Sequence, residues 1–167
     1  MTQRNALLAI HLGALLFGLS GIFGKLAATT PNMIAGGRAF FAVLALGLAA
    51  TLWRSRHTVR PNLRQMALLA LGGLLLGTHW VTFFEAVKVS GVAIATLGFA
   101  SFPAFTVLLE GLLFRERTRP GEFAMVGVVC LGLILVTPEF SLNSGATVGL
   151  LWAVLSGFLF ALLSLLN

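Results

Sequence analysis

Few side chains in this chain can do chemistry, and most of them stand inside long apolar runs. Arg38, His79 and Glu85 are ionisable, Ser20, Thr78, Thr82, Ser101 and Ser156 carry hydroxyls, and Trp80 and Trp152 offer aromatic faces. A charged group within a hydrocarbon layer costs about 2.5–3.5 kcal/mol on insertion scales, so each is a suspect for binding, gating or coupling. Arg38 lies about 9 Å along a helix from the end of its run. It suits a gate or a contact to an anion; the structural alternative is snorkelling to the interface or pairing with a backbone end. His79 stands in the segment Thr78-His79-Trp80-Val81-Thr82. Thr78 and Thr82, four apart, share a helical face that His79 and Trp80 flank. Such a patch reads as a cavity wall. Trp80 can stack on an aromatic or aliphatic solute or meet a cation, and His79 can carry a coupling proton because imidazole changes charge near neutral pH. The structural alternative is a helix–helix hydrogen bond for His79 and a lipid-facing Trp80.

The remaining candidates are read with their alternatives beside them. Glu85 and Lys88, three apart, form a local pair, or Glu85 accepts a proton. Gly18, Gly21 and Gly24, with Ser20 among them, follow a three-residue spacing that permits tight packing or a bendable, gating helix. Pro103, near Gly98 and Ser101, frees a carbonyl one turn back and kinks its helix, which opens room at mid-membrane. Trp152 and Ser156, four apart, complete the same cavity. His11 and His79 do not suit one haem, since by helical rise they sit about 8 Å and about 22 Å from the same face. The chain holds no His-Glu-x-x-His, no Gly-x-Ser-x-Gly and no aspartate, so an intramembrane hydrolase is set aside. Neither a cofactor nor a metal is expected, and the reading is not that of an enzyme.

Elements must position these groups across a membrane. The 167 residues are 58% hydrophobic and 10% charged, where a soluble domain carries about 25% charge. Six apolar runs fall near residues 6–27, 32–53, 64–86, 91–114, 121–137 and 148–166. About 20 apolar residues in helix span the hydrocarbon core, and only helices or closed barrels satisfy their backbone there. Pro31, Arg119-Pro120-Gly121, Pro138 and Asn143-Ser144-Gly145 punctuate the runs. The fold class predicted is all-α, a polytopic helical bundle. The N-terminus is too short for a secretory signal, and the first run is read as a retained span. Cys130 lies in an apolar run as a small buried residue.

If the spans alternate, Arg4, Arg54, Arg56, Arg60, Arg64, Arg115, Arg117 and Arg119 share one side and only Lys25 and Lys88 the other. Eight against two places the N-terminus in the cytoplasm of a multi-pass protein of the inner, or plasma, membrane. The net charge of +6 is divided between short hinges, which excludes nucleic acid as partner. Sliding the sixth run over the first by 143 positions matches Leu7, Leu8, Leu12, Leu16 and Phe17 to Leu150, Leu151, Leu155, Leu159 and Phe160. An odd number of spans per repeat inverts the second copy, an arrangement used by secondary transporters. The expected organisation is therefore a five-helix repeat over 1–143 and the first helix of a second, inverted repeat over 144–167.

A set of segments carries a family resemblance. They are Phe84-Glu85-Ala86-Val87-Lys88-Val89-Ser90-Gly91-Val92-Ala93, Phe102-Pro103-Ala104-Phe105-Thr106, Leu112-Leu113-Phe114-Arg115-Glu116-Arg117 and the Gly-rich stretch 127–133. Pro31 followed by Arg38-Ala39-Phe40 adds a second-helix signature. With these the chain resembles the EamA-type branch of the drug/metabolite transporter superfamily. The resemblance implies ten helices in two inverted five-helix repeats and the movement of small metabolites. This length amounts to half of such a protein, so the missing repeat or a second copy is an implied partner, beside the lipid bilayer, a small-molecule substrate and a coupling proton.

The function expected is a secondary-active exporter of small metabolites, such as amino acids, working by alternating access. Ser20, Gly21, Thr78, His79, Trp80, Thr82, Ser101, Trp152 and Ser156 are its expected substrate-binding residues, and Arg38, Glu85, Pro103 and Gly24 its gating or coupling residues. The alternatives are a structural or assembly subunit without transport of its own, and a small-multidrug-type half-transporter acting as a dimer. Orientation has a direct check: a cysteine placed at Arg60 is expected to react with an impermeant maleimide only from the cytoplasmic side. Labelling from outside reverses the topology.

Overall fold

The computed structural model describes residues 3–52, 61–115, 119–136 and 141–166. Among them lie the helices α1 (Gln3–Leu26), α2 (Pro31–Leu52), α3 (Leu63–Phe99), α4 (Phe102–Leu113), α5 (Pro120–Val136) and α6 (Gly145–Leu166). Leucine, alanine and glycine dominate them, and α1, α2, α3 and α6 are long and apolar enough to cross a membrane. The all-α, multi-pass membrane fold read from the sequence is the fold observed.

The third and fourth runs, expected as two separate spans, follow one another without a loop as two arms of α3. Helix α3 has 37 residues, which as a straight rod would measure about 55 Å, far more than the roughly 30 Å core. It is not straight. Gly91 interrupts it with φ 87° and ψ 170°, a left-handed conformation that glycine adopts without a Cβ penalty. The ring centroids of His79 and Phe99 are 5.1 Å apart, although twenty residues of straight helix would separate them by about 30 Å. The chain therefore doubles back at Gly91, and α3 is an antiparallel hairpin with arms 63–90 and 92–99. The start of the first arm is fixed by a capping box. Asn62 Oδ1 accepts the Gln65 N–H at 2.9 Å, and Gln65 Oε1 accepts the Asn62 N–H at 2.9 Å.

The second arm stops at Ala100 and Ser101 before α4 resumes, with Pro103 in the first turn of α4. Proline has no N–H to give to the carbonyl of Phe99. Gly98 compensates locally, its carbonyl accepting from the Ser101 N–H at 3.2 Å and from Ser101 Oγ at 2.7 Å. The fourth span is thus a broken helix rather than a smoothly kinked one.

Small residues decide the packing. Gly149, Ala153, Gly157 and Ala161 recur every four residues on α6, and all are buried. They form one stripe that meets the hairpin backbone. A Cβ on Gly98 would stand 2.5 Å from that of Ala153, and one on Gly157 would meet Ser101 Oγ at 2.9 Å and the Phe99 carbonyl at 3.1 Å. A Cβ on Gly149 would collide with Ser90. Lipid tails offer no hydrophobic drive for helix association, so such close approach is the main source of attraction. In α1, Gly24 leaves the notch that the Phe84 ring fills, and Gly21 faces Val92, whereas Gly18 faces open space.

Where α1 ends and α3 turns, two lysines exchange caps. Lys25 Nζ donates to the carbonyls of Val87 at 3.3 Å and Lys88 at 3.2 Å. Lys88 Nζ donates to the carbonyl of Ala27 and, at 3.5 Å, to that of Lys25. The last carbonyls of a helix lack intrahelical partners and form the negative end of its dipole. This replaces the Glu85–Lys88 pair expected from spacing: no ion pair joins those two, because the unfilled carbonyls across the interface offer Lys88 more. Cys130, expected to be buried, is exposed on α5.

The small-residue contact has a measurable consequence. Gly98→Val is expected to lower the thermal midpoint in detergent, at a cost of about 1–3 kcal/mol for overpacking. Gly47→Ala, where a Cβ meets nothing within 4 Å, should leave it nearly unchanged. Equal midpoints for the two variants would dismiss this packing.

Candidate functional site

Arg38 is the hub of a cluster that joins α1, α2 and both arms of α3. Its Nη1 donates to Ser20 Oγ on α1. Its guanidinium carbon lies 4.6 Å from the centroid of Trp80 and 5.5 Å from that of Phe84. The side chain is therefore tied inward, not snorkelled to an interface. Each aromatic face contributes about 0.5–2 kcal/mol, which offsets part of an insertion cost of about 2.5–3.5 kcal/mol. The compensation is incomplete: Nε is buried and has no hydrogen-bond partner. No carboxylate among the described residues bonds to Arg38.

Beside it, Phe17, Ser20, Arg38, His79, Trp80, Phe83, Phe84 and Phe99 enclose a cavity of about 20 Å³, room for a single water. His79 closes it on the side of α6. His79 Nδ1 lies 2.8 Å from Ser156 Oγ and 3.1 Å from the Ser156 carbonyl, while Ser156 Oγ lies 3.1 Å from the His79 carbonyl. With the proton on Nδ1, the ring donates to Ser156 and the hydroxyl donates to the His79 carbonyl. With the proton on Nε2, the hydroxyl donates to Nδ1 instead. Both tautomers are thus accommodated. The imidazole also sits among the rings of Phe83, Phe99 and Phe160, at centroid distances of 6.3, 5.1 and 5.0 Å.

Trp80 has a second environment. A groove of about 710 Å³ runs between α2 and the first arm of α3, lined by Ala35, Ala39, Gly73, Gly77, Thr78 and Trp80 among others. That is within the range of small-molecule sites, about 300–1,000 Å³. Trp80 lines both spaces and is the partition between them.

Of the residues singled out in the sequence, the structure brings Ser20, Arg38, His79 and Trp80 together, with Ser156 attached through His79. Thr78 lines the groove and bonds the Leu74 carbonyl at 2.7 Å. Thr82 is buried and bonds the carbonyls of Thr78 and His79. Ser101 and Pro103 lie at the helix break, and Gly21 and Gly24 at the α1 packing face. Trp152 is 37% exposed and outside the cavity, although it shares α6 with Ser156. Glu85 lies away from the cavity lining, and Glu116 falls outside the described residues. His11 is exposed and bonds the Leu7 carbonyl of its own helix at 2.8 Å.

The phenylalanines were not legible as site residues. Phe17, Phe83, Phe84 and Phe99 are half of the residues that line the cavity, yet in a chain with 14 phenylalanines the residue type does not separate a cavity wall from a lipid-facing surface. The available signal was position: Phe99 and Phe102 flank the helix break that Ser101 and Pro103 announce.

A family model described as the EamA-like transporter family matches residues 4–137. The chain belongs to the EamA-like transporter family. Among curated relatives, an uncharacterized transporter of Pseudomonas aeruginosa is 29% identical over 147 residues, covering 86% of this chain and 49% of that protein. The uncharacterized transporter YxxF of Bacillus subtilis is 23% identical over 168 residues, covering 99% of this chain and 54% of its own length. Protein RarD of Salmonella typhimurium is 28% identical over 96 residues, covering 58% of this chain and 33% of that protein. The chain spans about half the length of the first and second of these, 49% and 54%. No solved structure matches it significantly.

The His79–Ser156 link yields a test. Ser156→Ala is expected to cost about 1 kcal/mol, since it removes the hydroxyl's contacts with His79 Nδ1 and the His79 carbonyl while the Ser156 backbone carbonyl still meets the ring. Thermal unfolding in detergent measures it. A midpoint equal to that of the unaltered protein would mean the link contributes nothing.

Proposed function

We propose that this chain forms one half of a secondary-active transporter of small amphipathic metabolites, such as amino acids or related compounds, that works in the export direction by alternating access. The second half is an inverted repeat that begins with α6. The observation that carries this reading is an intramembrane cluster of Arg38, His79, Trp80 and Ser20 beside a helix broken at Ala100–Ser101. Broken helices at the repeat interface are where secondary transporters place their substrate sites. Family membership supports the same reading.

The parts take roles within it. Trp80 separates the groove from the closed cavity and is the gate whose ring must turn for solute to reach Arg38. His79, able to place its proton on either nitrogen without losing Ser156, is the coupling group for a proton. Gly21 and Gly24 keep α1 close to the hairpin, and Ser101 with Pro103 give the fourth span its joint. Trp152 and Glu85, which are not among the residues lining the cavity here, enter the solute path in another state of the cycle. The N-terminus is cytoplasmic, in the inner membrane, a reading the arginine distribution supports.

A thermal-shift screen of the full-length protein with amino acids, nucleobases and cationic drugs tests the proposal. A true solute is expected to raise the midpoint, because a ligand at a hundred times its Kd adds about 2.7 kcal/mol to the folded state. Trp80→Ala should abolish that shift, and the same solute should exchange across proteoliposomes. If no solute shifts the midpoint and none crosses, the transport reading falls.

A further inference from the structure

We propose that Arg38 selects the solute by its carboxylate, so that the transported compound is an anion or zwitterion with an apolar body. This rests on the transport reading above and names its substrate class. A guanidinium presents five N–H donors in a planar fork that matches a carboxylate with two parallel bonds. In this structure Nη1 is committed to Ser20. The edge that carries Nε is left, and Nε is buried without a partner. A buried donor left unpaired is destabilising, and a buried cation without a counter-charge more so. Such an arrangement persists where something else supplies the acceptor during function.

The surroundings point to the chemistry of that something. Apart from Arg38, the cavity wall contains no charged side chain, only Ser20, His79 and aromatic rings. Trp80 and Phe84 lie against the guanidinium, so an acceptor at Nε would have an apolar body beside those same rings. A cationic solute would meet Arg38 as a like charge in a medium of low dielectric, where repulsion is strongest. A neutral solute would leave the guanidinium without its counter-ion. A single water in the cavity would answer the unpaired donor alone, whereas an anionic group answers both the donor and the charge. The cavity, at about 20 Å³, is closed to anything larger than water, so recognition follows displacement of Trp80 from its place between cavity and groove.

The full-length protein, purified in detergent, is titrated with phenylacetate, phenylacetamide and phenethylamine by calorimetry. The three share one aromatic body and differ in charge. Phenylacetate is expected to bind about tenfold or more tighter than the amide, and the amine weakest, as a charge-assisted bond requires. Arg38→Gln should remove the preference for the carboxylate, bringing the affinities of phenylacetate and phenylacetamide to within about threefold of each other. Arg38→Lys should keep part of it, because an ammonium supplies charge without the fork. Equal or tighter binding of the amide or amine to the unaltered protein, no binding of any probe, or an unchanged ratio in Arg38→Gln overturns the assignment. If Arg38→Gln does not fold, the ranking on the unaltered protein and on Arg38→Lys decides. Flux of the same three probes into vesicles separates the two proposals. Flux without charge preference leaves transport standing and sinks the role of Arg38; carboxylate preference without flux does the reverse.

Discussion

Close approach of α6 to the hairpin of α3 is the constraint on which the rest of the molecule depends. In lipid, two apolar helices gain nothing from leaving water, so they associate through dispersion at short range and through hydrogen bonds that short range permits. Gly98, Gly149 and Gly157 provide that range by having no side chain where a Cβ would strike Ala153, Ser90 or Ser101. The approach brings Ser156 within reach of His79, and it sets Phe160 against Phe99 and His79. The imidazole is therefore held by the same contact that holds the fold.

A second constraint is the polarity that the membrane will not tolerate unless it is answered. The helix ends near the Gly91 turn answer it with lysines, each filling carbonyls that the other helix leaves open. Arg38 answers it in part, with Ser20, Trp80 and Phe84. The difference between the two cases is informative. The lysines find acceptors within the chain and act as clamps. The guanidinium keeps a buried donor without one, at a place where four segments converge. Structural stabilisation explains the first arrangement fully and the second only partly.

Helix breaks at Gly91 and at Ala100–Ser101 give the hairpin its shape, and they differ in cause. Gly91 turns the chain through a conformation that a side chain would resist. The second break follows from Pro103, which withholds a hydrogen bond that Phe99 would otherwise receive. Together they bend Phe99 over His79 and allow the second arm to meet α6. A rigid, unbroken fourth span would carry Phe99 and Phe102 past the site in a straight line.

Hydrophobic runs and turn residues were enough to give the helical, membrane-crossing class, because lipid accepts few other backbone arrangements and the runs have the length of a bilayer. The resemblance in the third to fifth runs was enough to point to the family. Spacing on one helix also brought His79 and Trp80 forward as a pair, since near neighbours on a helix are set by its geometry alone. It failed for Glu85 and Lys88, where local spacing suggested a pair but distant carbonyls were better partners. It was silent on the meeting of Arg38 with Ser20 and Trp80, and on the phenylalanine wall. Those contacts join residues that are remote in the chain, and in a sequence where almost every side chain is apolar only the three-dimensional approach of the helices separates a cavity wall from a surface bathed in lipid.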